Sequence, residues 1–330
     1  MGAVLVTGGA GYIGSHAVKA LADAGLDVVV LDSLVAGHRG AIPGVPFVEA
    51  DIADAAIVRE TIRRYQVTAV MHFAAFLSVS ESVRAPARYY RNNVRHALAL
   101  LDTLIEESVT RVVFSSTAAV YGDPVHSPIL ENHPTQPINA YGQTKLIIEK
   151  ALAHYASAYG LCSVSLRYFN AAGADPSGTI GEDHDPEIHL IPKTLAAARG
   201  DGTIEIYGTD YPTRDGTCER DYVHVSDLAN AHVLALQRLE EGPLAAAYNL
   251  GNGRGHSVRE VIAAAERVTG RAVRQETGDR RPGDPAFLLA SSQKARTELG
   301  WTPQFEELDA IVQTAWNWHR THPSGYRSGM

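Results

Sequence analysis

Cysteine is nearly missing from this chain: Cys162 and Cys218 are the only two in 330 residues. A pair so far apart makes neither a disulfide framework nor a zinc pattern. It fits a reducing cytosol, so a cytoplasmic protein with no metal is expected. Positive charge is also short. Twenty-nine Lys and Arg stand against 37 Asp and Glu, a formal net charge of -8, which argues against nucleic acid or an anionic membrane as partners held by bulk electrostatics. An anionic ligand must instead be caught by cations placed locally. No apolar run approaches the ~20 residues that span a bilayer, and a core strand starting at Val4 leaves no room for a signal peptide. Hydrophobicity is not lacking: 45% hydrophobic and 20% charged residues are ordinary for a globular chain. The length exceeds the roughly 100–200 residues of one domain, so two lobes are expected.

What the chain does have is alternation. Apolar, β-branched runs at Val4–Val6, Val28–Leu31, Phe47–Val48, Ala69–Phe73, Val112–Phe114 and Ser163–Leu166 are separated by helical patterns. The helices are expected near Ile13–Ala24, Ile57–Arg64, Asn93–Glu107 and Tyr141–Tyr159. Continuous apolar strands between helices imply α/β class, with a Rossmann-type, doubly wound parallel sheet covered on both faces. Past Phe169 the texture changes. Residues 171–218 are rich in Gly, Pro, Asp and Thr, with one helical segment near Pro192–Arg199, and read as a loop-rich cap. Tyr222–Val225 and Tyr248–Leu250 read as returns to the main domain, and the tail from Ser257 as helical around a polar stretch, Asp279–Asp284. The expected division is a dinucleotide lobe, 1–170 with returning segments near 221–250, and a smaller C-terminal substrate lobe within 171–330.

Directly after the first strand, Gly8-Gly9-Ala10-Gly11-Tyr12-Ile13-Gly14 opens a helix. Gly8 suits a tight turn, Gly11 lets backbone approach a pyrophosphate, and Gly14 lets the helix pack on the strand. Asp32 ends the second strand about 20 residues on, where an acid takes ribose hydroxyls and repels a 2′-phosphate, favouring NAD over NADP. The same acid could serve as a solvated strand end. Asp51 and Ile52, closing the third strand, could flank the adenine or fill a loop.

Tyr141-Gly142-Gln143-Thr144-Lys145 opens a later helix, with Tyr141 and Lys145 one turn apart on one face. A phenol is a poor base at neutral pH, but a neighbouring ammonium and a positive nicotinamide ring favour its phenolate. Tyr141 could then take a proton from a hydroxyl whose carbon loses hydride, while Lys145 holds the nicotinamide ribose. A solvated helix face is the alternative for such a pair. Thr117, at the carboxyl end of the strand before Ala118 and Ala119, is the candidate third member, with strand-end capping as its alternative.

With these stretches in view, the chain resembles the UDP-glucose 4-epimerase family of extended short-chain dehydrogenases/reductases over nearly its full length. The resemblance rests on GGAGYIGSH, HFAAFLSVSESV, YYRNNV, SSTAAVYGDP, AYGQTK, LRYFNAAGADPSG, YGTDYPTRDGTCERDYVHVSDLA and RRPGDPA. It implies epimerisation of UDP-glucose and UDP-galactose at carbon 4 by Thr117, Tyr141 and Lys145, with NAD bound throughout turnover. It implies further NAD contacts from Tyr12, Ile13, Asp32, Asp51, Ile52, Phe73, Ala74, Ala75, Asn92 and Phe169. On the UDP-sugar it implies Asn170, His189, Leu190, a uracil-stacking Tyr207, phosphate-binding Arg220 and Arg281, and Asp284; surface ion pairing is the alternative for both arginines. Related dehydratases carry an Asp-Glu pair where this chain has Ala118-Ala119, and methyl groups cannot transfer the protons that elimination needs. Leu77 replaces a common lysine, His189 a common asparagine, and Leu288 sits where bulk limits the space beside the hexose. Rival readings are a 4-epimerase of UDP-N-acetylhexosamines, UDP-pentoses or UDP-glucuronate, and a silent NAD-binding sensor. A homodimer is expected through helices near 93–107 and 141–159, although Leu98, Leu101, Leu104, Ile148, Leu152 and Tyr155 have the spacing of core helices too.

Overall fold

The β-branched runs fold as strands and the patterns between them as helical crossovers. The computed structural model describes residues 2–281 and 284–326, so Pro282 and Gly283 of the RRPGDPA stretch lie outside the described residues. The first half of the chain forms β1 (Val4–Thr7), α1 (Tyr12–Asp23), β2 (Val28–Asp32), β3 (Phe47–Glu49), α2 (Ala55–Tyr65), β4 (Ala69–His72), α3 (Val79–Arg84), α4 (Pro86–Tyr89), α5 (Ala97–Glu106), β5 (Arg111–Thr117), α6 (Ala140–Tyr159) and β6 (Cys162–Tyr168). The second half forms β7 (Asn170–Ala172), α7 (Leu190–Arg199), β8 (Ile204–Tyr207), β9 (Glu219–His224), α8 (Val225–Arg238), β10 (Ala245–Leu250), β11 (Gly255–Ser257), α9 (Val258–Thr269), β12 (Gln275–Gly278), β13 (Phe287–Leu288), α10 (Gln293–Glu298) and α11 (Leu308–Thr321).

Seven strands make one parallel sheet in the order β10-β6-β5-β4-β1-β2-β3. Alternate residues enter opposite cores. Leu5, Val29, Val70 and Val112 pack under α2, α5 and α6, whereas Val4, Val6, Val30 and Val113 pack under α1 and α8. Burial on both faces is why the runs are apolar without a break. From β1 the chain winds outward to β3 on one side; from β4 it winds to β6 on the other. The reversal between β1 and β4 opens a crevice at the carboxyl ends of the strands.

The smaller lobe holds β7, β9, β11 and β13 in one sheet, β8 paired with β12, and a core shared by α7, α9 and α11. The segments that follow Phe169 divide between this lobe and the main one. Tyr222–His224 lies in β9, which pairs in parallel with β7 in the small sheet. Tyr248–Leu250 does join the main sheet, as its edge beside β6. The tail after Ser257 interleaves helices with β12 and β13. The helix expected at 93–107 starts as a π turn over Tyr90–His96 before α5 begins. Leu101, Leu104, Ile148 and Leu152 are buried in the core between α2, α5, α6 and the sheet, and Leu98 and Tyr155 pack half-buried against it. Among the described residues no helix is long and apolar enough to cross a membrane.

Candidate active site

The crevice contains a cavity of about 490 Å³ bounded by the glycine loop, the ends of β2, β4 and β5, and the head of α6. Gly8 adopts φ +72°, and a Cβ there would lie 2.5 Å from the Ala74 nitrogen, so only glycine fits the turn against the end of β4. A Cβ on Gly14 would stand 2.2 Å from the Gly8 carbonyl oxygen, a contact that would push α1 off the loop. Gly11 differs. Its Cβ would meet nothing closer than that carbonyl at 3.4 Å, so the protein's own packing does not need a glycine there. Gly11 lines the cavity, and as the N-cap of α1 it offers no side-chain cap to the first-turn N–H groups. An open cradle beside uncapped N–H groups is what a pyrophosphate requires. Asp32 borders the same cavity and accepts hydrogen bonds from the Ala10 nitrogen (2.9 Å) and the Leu34 nitrogen (2.8 Å). Burial pushes its carboxyl above the usual range, and those two bonds pull it back. Tyr12, Ile13, Asp51 and Ile52 also line the cavity, as do Phe73, Ala74, Ala75, Asn92 and Phe169. These residues fit a dinucleotide.

Asn92 reaches the wall because the π turn is pinned from beneath. The Asn93 carboxamide accepts from the Phe76 nitrogen (2.9 Å) and donates to the Phe76 carbonyl (2.9 Å) and to Thr144 Oγ1 (3.2 Å). This buried amide ties the loop after β4 to α6. Sequence reasoning missed it, although π turns recur at functional sites.

Asn139 caps α6 by accepting from the Gly142 nitrogen at 2.9 Å. A Cβ on Gly142 would lie 2.4 Å from the Ala119 carbonyl oxygen, so this glycine lets the head of α6 press on the turn after β5. Thr117, Tyr141 and Lys145 consequently line one cavity wall with Ala118 and Ala119. Thr117 Oγ1 also accepts from the Ala119 nitrogen (3.2 Å), so it caps the strand end as well. Burial raises the Tyr141 phenol above its ordinary pKa, while its hydrogen bond with Thr117 works the other way. Burial also lowers Lys145 to about 7, against the pull of Glu149. Lys145 Nζ donates to the Ser115 carbonyl at 2.7 Å. The expected depression of the phenol by its lysine is therefore not present in the chain by itself, because burial dominates both groups and the amine is turned to a backbone oxygen.

The residues expected on the substrate side separate into two groups. Asn170, His189, Leu190 and Leu288 line the cavity, as does Leu77 near the cofactor end. Tyr207, Arg220, Arg281 and Asp284 do not line it, but they pair with one another. The Arg281 guanidinium carbon sits 3.7 Å from the Tyr207 ring centroid, and Arg220 Nη2 lies 2.6 Å from Asp284 Oδ1. Arg220 also donates to the Glu219 and Pro285 carbonyls, each at 2.9 Å.

His189 brings unexpected company. Its Nδ1 stands 2.5 Å from Glu182 Oε1 and 3.3 Å from Glu187 Oε1, and His184 Nδ1 is 3.1 Å from Glu182 Oε1. Burial disfavours charge on both rings, yet the carboxylates raise His184 to about 9 and His189 to about 10. The sequence signal was present but unread: acids and histidines alternate through Glu182-Asp183-His184-Asp185-Pro186-Glu187-Ile188-His189.

Comparison with known proteins agrees with this geometry. Residues 4–251 match the family described as NAD dependent epimerase/dehydratase. A UDP-glucose 4-epimerase of Halalkalibacterium halodurans is 53% identical, covering 98% of this chain and 97% of that one. A UDP-glucose 4-epimerase of Lacticaseibacillus casei is 50% identical over 98% of both. The crystal structure of UDP-glucose 4-epimerase from Brucella ovis in complex with NAD superposes with a TM-score of 0.93 at 51% identity, covering 96% of this chain and 98% of that one. With the glycine cradle, the strand-end acid and the Thr-Tyr-Lys wall in one crevice, the chain belongs to the NAD dependent epimerase/dehydratase family.

Proposed function

We propose that the chain is a UDP-glucose 4-epimerase, interconverting UDP-glucose and UDP-galactose at carbon 4 through a transient 4-keto sugar. One observation carries the reading: Thr117, Tyr141 and Lys145 share a wall with the glycine cradle, and the neighbouring positions are the inert Ala118 and Ala119. Bound NAD would supply a hydride acceptor and donor for carbon 4 and a positive ring that favours the phenolate. Tyr141 removes the 4-hydroxyl proton and later restores one on the opposite face of the sugar. Thr117 holds the phenolic oxygen by the hydrogen bond described above, and Lys145 keeps an exchangeable proton within the same wall. Asp32 binds ribose hydroxyls, and the uncapped head of α1 receives the pyrophosphate.

Tyr207 with Arg281, and Arg220 with Asp284, would hold the nucleotide. Grip at a distance from carbon 4 retains the 4-keto sugar while its ring turns to present the other face. In this reading residues 1–170 with α8 and β10 form the NAD lobe, and the remainder binds the UDP-sugar. Free Cys162 and Cys218 support a reducing, cytoplasmic setting. A homodimer would use the outer sides of α3 and α6, where Val79, Val83 and Tyr159 are exposed; light scattering at two protein concentrations tests it.

The test of activity is a coupled assay on UDP-galactose, UDP-N-acetylglucosamine, a UDP-pentose and UDP-glucuronate. UDP-galactose should turn over fastest. Tyr141→Phe should retain NAD and lose about 10²–10⁴-fold in kcat, the usual worth of a positioned acid/base. Near-native turnover by that variant, or clear preference for another sugar, would sink the reading.

A further inference from the structure

We propose that Glu182, His184, Glu187 and His189 form a binding site for one divalent transition-metal ion of the Zn²⁺ type, on the wall of the catalytic cavity. The four ligand atoms, two imidazole nitrogens and two carboxylate oxygens, all lie within 4.8 Å of one another. A tetrahedral ion with bonds of ~2.0–2.1 Å sets its ligands about 3.3 Å apart. The separations of 3.1 Å (His184 to Glu182), 3.3 Å (His189 to Glu187 Oε1) and 3.7 Å (His184 to Glu187 Oε2) lie near that value, whereas His189 Nδ1 and Glu182 Oε1, at 2.5 Å, must move apart to admit an ion. A mixed nitrogen and oxygen set suits Zn²⁺ and its first-row neighbours better than Ca²⁺ or Mg²⁺, which take oxygen ligands.

A second observation separates this cluster from an ordinary group of ion pairs. His189 Nδ1 is shielded from solvent and has no aligned hydrogen bond, although Glu182 Oε1 is only 2.5 Å away. Charge balance also holds. One divalent ion held by two neutral imidazoles and two carboxylates is neutral, so a filled site leaves no net charge in the half-buried cluster.

Placement allows both entry and effect. The cluster separates the main cavity from a second one of about 170 Å³ lined by Trp318, His319 and His322. His189 is the N-cap of α7, so an ion here would fasten the 182–189 loop to the head of that helix. The site departs from the expectation of no metal drawn from the two cysteines. It is independent of which sugar the enzyme prefers.

The test uses the full-length protein with its NAD. After chelator treatment and desalting it is loaded with an equivalent of ZnCl₂, desalted again and assayed for zinc by mass spectrometry. About one Zn²⁺ per chain should be retained, and Glu187→Gln and His184→Ala should each weaken binding at least tenfold. Wild-type protein that retains none, or variants that bind as tightly as wild type, overturn the proposal. Should both variants fail to fold, Co²⁺ loading of the wild type decides. Strong visible ligand-field bands of a tetrahedral ion support the site, and the weak spectrum of an octahedral, largely hydrated ion overturns it.

Discussion

Replacing Lys145 with Met should abolish activity while stabilising the dinucleotide-free protein, by an amount that shrinks as pH rises. The side chain is 3% exposed, and burial holds its amine at about 7 where 10.5 is ordinary. With the folded-state value the lower of the two, the unfolded chain binds the extra proton between them. Wild-type stability therefore climbs with pH through that window, and the full penalty applies below it. At 1.36 kcal/mol per unit the penalty is about 5 kcal/mol at low pH, roughly 4 at pH 7 and roughly 2 at pH 9. Methionine escapes this penalty but strips the Ser115 carbonyl of its donor, a loss of about 1–3 kcal/mol. The variant should thus be more stable by about 1–3 kcal/mol at pH 7 and near parity at pH 9. An unfolding entropy of ~2.1 cal/mol/K per residue makes each kcal/mol worth about 1.5 °C in a chain this long. Melting curves at the two pH values should show the gap closing by about 3 °C. A gap that ignores pH, or a wild type more stable than the variant at both, refutes the reasoning, because either result means the amine is not buried as described.

Two glycines of the loop should behave oppositely. Gly14→Ala drives a Cβ to 2.2 Å from the Gly8 carbonyl and should cost about 1–3 kcal/mol of stability, read as a lower melting temperature. Gly11→Ala meets that carbonyl only at 3.4 Å, so its melting temperature should match wild type within about 1 °C while NAD affinity, measured by fluorescence titration, falls at least tenfold. Glu149→Gln leaves Arg167 as an unpaired cation, since Glu149 accepts from Arg167 Nε at 2.9 Å and Nη2 at 2.6 Å in a pair whose side chains are each 8% exposed. The expected loss is about 3–5 kcal/mol, a fall of roughly 4–7 °C in the melting temperature.

The main sheet was legible because both of its faces are buried, which leaves an unbroken apolar run at each strand. Caps were legible for a local reason: Gly25 and Gly160 adopt positive φ just past α1 and α6. The small lobe was harder to read. β7, β11 and β13 are two or three residues long, and their pairing is set by contacts far away in the chain, such as Asn170 opposite Tyr222. Period-two patterning cannot appear in strands of two or three residues, so the small sheet was not foreseen. The π turn escaped for a similar reason, since its cause is the Asn93 amide reaching Phe76 and Thr144. In the site, the glycine loop and the Tyr141–Lys145 spacing are local and were visible. The Glu182–His189 cluster was equally local, but what gives it meaning is the packing of four side chains around one point.

The electrostatics of the catalytic wall run against a simple acidified-tyrosine picture. Burial acts on both partners in opposite senses, raising the phenol and lowering the amine, so each is pushed toward its neutral form. With its phenol raised by burial, the wall holds no standing phenolate to react with whatever hydroxyl enters the crevice. Charge on Tyr141 is instead conditional on a cation arriving beside it, and the glycine cradle, with its uncapped N–H groups, is the feature that selects which cation-bearing ligand can arrive. In the proposed mechanism, specificity for the dinucleotide and activation of the base are then one event. That coupling explains why a residue as costly to bury as Lys145 belongs here: in an apolar wall its proton is easily given up, and its presence helps only when a ligand has changed the local field.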